Sequence, residues 1–86
     1  MSQQKARVIL YTRPGCHLCE EAKEQILAAD CSDSYLLEEV NIDSDPALVK
    51  RYGMKIPVIT INGAGAFMYR VTAKEFREAL NDVSIS

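Results

Sequence analysis

Cys16 and Cys19, separated by His17-Leu18, are the residues whose types and spacing could do chemistry. A C-x-x-C pair suits two kinds of work: reversible disulfide formation, or half of a metal site. Zinc ordinarily takes four ligands, and Cys31 and His17 are the soft candidates that remain, with no second C-x-x-C and no H-x-x-x-H. A site within one chain is therefore poorly furnished. A dimer could still share an iron–sulfur cluster through Cys16 and outside thiols. The bland alternative is a pair of small core residues with no task, as free cysteines often are.

The elements around the pair separate these readings. Arg7-Val8-Ile9-Leu10-Tyr11 is a continuous apolar run, expected as a strand buried on both faces. Thr12-Arg13-Pro14-Gly15 breaks it with loop residues. From Cys16 to Ala29 the composition is helical, and Leu18, Ala22, Ile26 and Ala29 form the expected core-facing stripe. Cys16 then falls at the open N-terminus of a helix, where free N–H groups and the positive end of the macrodipole stabilise a thiolate. Free cysteine titrates near pH 8.5, and at about 3.5–7.5 in such settings. Residues three apart share a helix face, so Cys19 lies one turn deeper and within reach of a disulfide. Cys16 is the expected attacker and Cys19 the resolving thiol. Arg13 and a protonated His17 favour the thiolate, whereas Glu20 and Glu21 oppose it.

Beyond the pair, Asp30-Cys31-Ser32-Asp33-Ser34 punctuates the chain, and Tyr35 to Ile42 is expected as a strand nearer an edge. Asp45 caps a short helix begun by Pro46 and ended by Gly53. Pro57–Ile61 is a third strand, Asn62-Gly63-Ala64-Gly65 a turn, and Ala66–Arg70 a fourth strand. Thr72-Ala73-Lys74-Glu75 fits a capping box opening a last helix with Phe76, Ala79, Leu80 and Val83 on one face. The order β-α-β-α-β-β-α implies an α/β fold. Its sheet is four-stranded and mixed, with the first two strands parallel, the last two antiparallel and three flanking helices. One domain spans residues 1–86.

Composition narrows the class. With 86 residues, 48% hydrophobic and 26% charged, the chain suits one globular domain. A net charge of −2, without runs of one sign, gives no footprint for nucleic acid or an acidic membrane. Met1-Ser2-Gln3-Gln4-Lys5 is a polar lead-in unlike a signal peptide, and no stretch nears the roughly 18 apolar residues of a span. Three cysteines make a poor framework for a secreted scaffold. A cytoplasmic monomer acting on protein or small-molecule disulfides is expected.

Leu10 to Lys23, Val40-Asn41-Ile42-Asp43 and Tyr52-Gly53-Met54-Lys55-Ile56-Pro57-Val58 give the chain a likeness to a known group. From about Arg7 to about Asp82 it resembles the glutaredoxin-like branch of the thioredoxin superfamily. The resemblance implies a thioredoxin fold and a dithiol–disulfide oxidoreductase with no tightly bound cofactor. It also implies a cis Ile56–Pro57 bond, with Pro57 beside the cysteines and the Ile56 backbone pairing with substrate. Arg13, His17, Ile56 and Pro57 are the candidate substrate-binding residues, with glutathione as a candidate co-substrate. Arg13, Arg51 and Lys55 could hold its carboxylates. Relatives usually carry Pro-Tyr between the cysteines, Thr-Val before the proline, and Gly-Gly-x-Asp near the last helix. Here those places hold His17-Leu18, Lys55-Ile56 and Val71-Thr72-Ala73-Lys74. The alternative from another class is a thioredoxin-fold module that binds a partner, metal or cluster without turnover. Cys31 reads as a bystander, Tyr11 as a strand aromatic that could flank the site, Met54 and Met68 as packing, and Lys50 and Arg51 as a solvated helix face.

Overall fold

The computed structural model describes residues 5–30 and 33–85, with side chains through residue 82. Cys31 and the Val83 side chain lie outside the described residues. The elements are β1 (Ala6–Thr12), α1 (His17–Ala28), β2 (Tyr35–Asn41), a 3-10 turn (Ile42–Ser44), α2 (Pro46–Tyr52), β3 (Val58–Ile61), β4 (Ala64–Met68) and α3 (Ala73–Ile85). They build one four-stranded mixed sheet in the order β2-β1-β3-β4. β1 runs parallel to β2 and antiparallel to β3, and β3 pairs antiparallel with β4. This is the expected α/β architecture, with β2 at an edge.

Alternation along β1 buries Ala6, Val8 and Leu10 against α1 and α3, where Ile26, Phe76 and Leu80 close the core. Tyr35 meets Phe76 edge-on, with centroids 5.3 Å apart and an interplanar angle of 88°. The expectation that β1 is buried on both faces needs correction. Ile9 and Tyr11, on the second face, are only half-buried, because α2 has seven residues and covers little of the sheet. The stripe of α1 also differs by one member. Cys19, Ala22, Ile26 and Ala29 are buried, while Leu18, at the edge of the first turn, is half-exposed.

Local signals set the helix ends. Asp45 Oδ1 accepts from the Ala47 N–H at 2.9 Å, and Pro46 opens α2. Gly53 ends α2 with a right-handed φ of −53°, and a side chain there would meet the Val49 carbonyl. At α3 the capping box is complete: the Glu75 N–H donates to Thr72 Oγ1 and the Thr72 N–H to Glu75 Oε1, both at 3.1 Å. Arg77 donates to the Ala29 carbonyl through Nε and Nη2, tying α3 to the end of α1.

The hairpin is tighter than the sequence suggests. Asn62 and Gly63 alone make the turn, with φ of 53° and 86°, the Asn-Gly pattern of a type I′ connection. β4 therefore starts at Ala64 rather than Ala66, and it stops at Met68 because Tyr69 turns left-handed at φ 67°. Met54 and Met68, expected as packing residues, are 90% and 52% exposed, since one follows α2 and the other lies on edge strand β4. Among the described residues no helix is long and apolar enough to cross a membrane.

Candidate active site

The site grows from the end of β1. After Thr12, Gly15 at φ 82° turns the chain, and the Cys16 N–H closes that turn on the Arg13 carbonyl at 3.2 Å. Cys16 is not the first residue of α1, as expected, but its N-cap, with φ −86° and ψ 108°. Extended backbone at a cap lets a side chain fold back over the first turn, and Sγ accepts from the Cys19 N–H at 3.2 Å. A sulfur thus occupies the place usually held by a hydroxyl or carboxylate, against the free N–H groups of the helix.

Exposure divides the pair. Cys16 is half-exposed, while Cys19 is 4% exposed at the head of the core-facing stripe, and both are free thiols. Burial pushes the Cys19 thiol up, and its hydrogen bond with the Cys16 side chain adds to the rise. Bonds with the Thr12 hydroxyl and the Arg13 backbone pull the other way.

The other candidates are placed unequally. The Ile56–Pro57 bond is cis, with Pro57 buried and Ile56 half-buried. Pairing of Tyr11 with Val58 carries the next residues, Thr12 and Pro57, to the same end of the sheet. Since Thr12 bonds to Cys19, the proline and the cysteine pair share that end. The Tyr69 N–H anchors the segment by donating to the Pro57 carbonyl at 2.9 Å. Arg13 Nε donates to Asp43 Oδ1 at 3.0 Å, and Asp43 is itself held by Asn41 Oδ1 at 2.9 Å. The His17 side chain is 94% exposed, and Nδ1 stands 3.8 Å from Glu20 Oε2. It packs on neither cysteine.

Three contributions went unread in the sequence. Asp43 holds Arg13, Thr12 touches Cys19, and Tyr52 stacks on Tyr11 with centroids 4.4 Å apart at 28°. Burial pushes the Tyr11 hydroxyl up, and Tyr52 beside it adds to that. The Asp43 role had a visible signal, an acid closing Val40-Asn41-Ile42-Asp43 after an edge strand. The tyrosine stack had none, because it joins residues forty-one positions apart.

Residues 7–81 match a family described as a glutaredoxin-like domain (DUF836). Among solved structures, the crystal structure of the target protein XcR50 from X. campestris is 31% identical, with a TM-score of 0.76. That match covers 87% of this chain and 96% of the other. Protein Ne2328 from Nitrosomonas europaea is 25% identical at a TM-score of 0.74, over 92% of this chain and 98% of its own. Oxidised thioredoxin from Plasmodium falciparum shares the fold alone, at 10% identity and a TM-score of 0.63, over 96% of this chain and 85% of its own.

Proposed function

The chain belongs to the glutaredoxin-like domain family, and from that premise we propose that it is a dithiol–disulfide oxidoreductase with Cys16 as nucleophile and Cys19 as resolving thiol. The observation that carries the reading is the asymmetry of the pair: a half-exposed sulfur capping α1, hydrogen-bonded to the backbone of a buried one.

Electrons and protons balance as follows. The Cys16 thiolate attacks one sulfur of a substrate disulfide, forming a mixed disulfide and releasing the other sulfur as a thiolate that takes a proton. Cys19, once deprotonated, attacks Cys16 Sγ and expels the second substrate thiolate. Two electrons have moved to the substrate, and Cys16 and Cys19 are left as a disulfide, which an external thiol reduces. Glutathione is the candidate reductant, and the carboxylates flanking its thiol suit Arg13. The Ile56 backbone, next to Pro57 at the end of the sheet where β1 leads to the cysteine pair, is the surface against which substrate lies. His17, exposed between the cysteines, stays available to meet the substrate's far side. Substrates are protein or small-molecule disulfides, the working unit is a monomer, and a reducing, cytoplasmic compartment fits the single C-x-x-C.

Turnover of a disulfide substrate with a glutathione-regenerating reductant tests the proposal. The wild type should release thiol catalytically, and Cys16→Ser should fall to the rate of the reductant alone. Full activity in Cys16→Ser, or no turnover by the wild type on peptide and small-molecule disulfides alike, would overturn it.

A further inference from the structure

The second face of the sheet holds a cavity of about 320 Å³ between the β3–β4 hairpin and the C-terminal end of α2. Its lining includes none of Cys16, Cys19, Arg13, His17, Ile56 or Pro57, and it shares with the candidate glutathione contacts only Arg51 and Lys55. Thr60 lines it and is 6% exposed, yet its Oγ1 has no hydrogen-bond partner. A buried hydroxyl left unpaired is unfavourable, and such groups in folded proteins call for a specific cause.

The cause is local. The cross-strand neighbours of Thr60 are Ile9 and Gly65, neither of which offers a side-chain partner. Gly65 also leaves the space above the strand open, since a Cβ there would meet nothing within 4 Å. Val58 and its cross-strand partner Met68 supply apolar walls, and Arg51 and Lys55 supply positive charge from the α2 side. Neither cation forms an ion pair with a carboxylate among the described residues, and the Arg51 guanidinium lies 5.3 Å from the centroid of the Tyr52 ring. Apolar walls with a few convergent polar groups, at this volume, describe a site for a small molecule.

We propose that this cavity binds a small carboxylate with an apolar body. The carboxylate accepts from the Thr60 hydroxyl, Arg51 and Lys55 close over it on their flexible stems, and the apolar body lies against Val58 and Met68. A bare anion would leave those walls without a partner, and a neutral ligand would leave the cations unused.

Titration of isotope-labelled protein with benzoate, with benzyl alcohol and with inorganic phosphate, followed by amide NMR shifts, tests the site. Benzoate should give saturable shifts at Thr60, Gly65 and Tyr52 while the Cys16 and Cys19 amides stay fixed. Benzyl alcohol and phosphate should each bind about tenfold more weakly or worse, the factor expected for losing one charge-assisted hydrogen bond or the apolar contact. Gly65→Val fills the open space and should abolish binding. Thr60→Val and the Arg51→Gln, Lys55→Gln double variant should each weaken it about tenfold with the spectrum otherwise native. Benzoate shifts that do not saturate or that centre elsewhere, alcohol or phosphate binding as tightly as benzoate, or unchanged affinity in folded Thr60→Val would each overturn the proposal. All of these readings are independent of thiol turnover.

Discussion

Cys16 Sγ accepts a hydrogen bond from the Cys19 backbone N–H at 3.2 Å, so the two cysteines are joined through the backbone while both thiols are free. The contact holds the outer sulfur over the first turn of α1. It leaves that sulfur half-exposed, while the inner residue heads the buried stripe of the same helix. The two thiols therefore differ in access, and burial holds the Cys19 thiol towards its protonated form, so the two consequences can be measured separately.

Access should control alkylation. With iodoacetamide under native, reducing conditions, Cys16 should be carboxamidomethylated well before Cys19, which is 4% exposed. Timed quenching and peptide mass mapping measure the two rates. Equal rates in the folded protein would contradict the placement of Cys19.

Ionisation of Cys19 should make stability fall at alkaline pH. Burial, then the hydrogen bond with Cys16, raises its folded-state pKa above the unfolded value. Below the unfolded pKa, near 8.5, both states hold the proton and the contribution to stability is complete. As pH rises the unfolded state ionises first, so stability drops until the folded thiol titrates as well. Cys19→Ala should flatten the loss of Tm between about pH 7.5 and 9.5, compared with wild type under reducing conditions. Tyr11, raised for the same leading reason, adds a similar loss only above about pH 10 and does so in both proteins. Parallel Tm profiles would contradict the assignment.

Arg13 should act on substrate more than on the fold. Its pair with Asp43 has side chains 37% and 48% exposed, so breaking it should cost no more than about 1 kcal/mol. If the proposed chemistry holds, Arg13→Ala should raise KM for oxidised glutathione and leave kcat near the wild-type value. Asp43→Asn keeps the cation and should leave KM close to wild type. Steady-state kinetics with calorimetric Tm values separate these outcomes, and a loss confined to kcat in Arg13→Ala would contradict a binding role.

What the sequence made legible was whatever short spacing controls. The capping box at Thr72 and Glu75 and the Asp45-Pro46 start of α2 are local patterns, and both appear where expected, whereas the continuous apolar run of β1 hid the alternation that buries Val8 and Leu10. The cis bond at Pro57 was legible only through resemblance, because nothing in Ile56-Pro57 itself selects the isomer. The one-residue difference at Cys16 reflects a capping role that helix periodicity does not report. The hairpin was misplaced because Asn62, Gly63 and Gly65 put three turn-forming residues within four positions, and the left-handed φ of Asn62 lets the first two suffice. The Tyr11–Tyr52 stack and the Thr60 cavity were invisible, since both arise where distant elements leave the second face of the sheet thinly covered.

The central claim, that Cys16 attacks and Cys19 resolves, is tested most directly by trapping the intermediate. Cys19→Ser incubated with a peptide disulfide should accumulate one mixed disulfide, located at Cys16 by peptide mass mapping, while wild type releases both substrate thiols and forms the internal disulfide. A mixed disulfide found elsewhere, or a Cys19→Ser protein that stays unmodified while the wild type turns over, would contradict it.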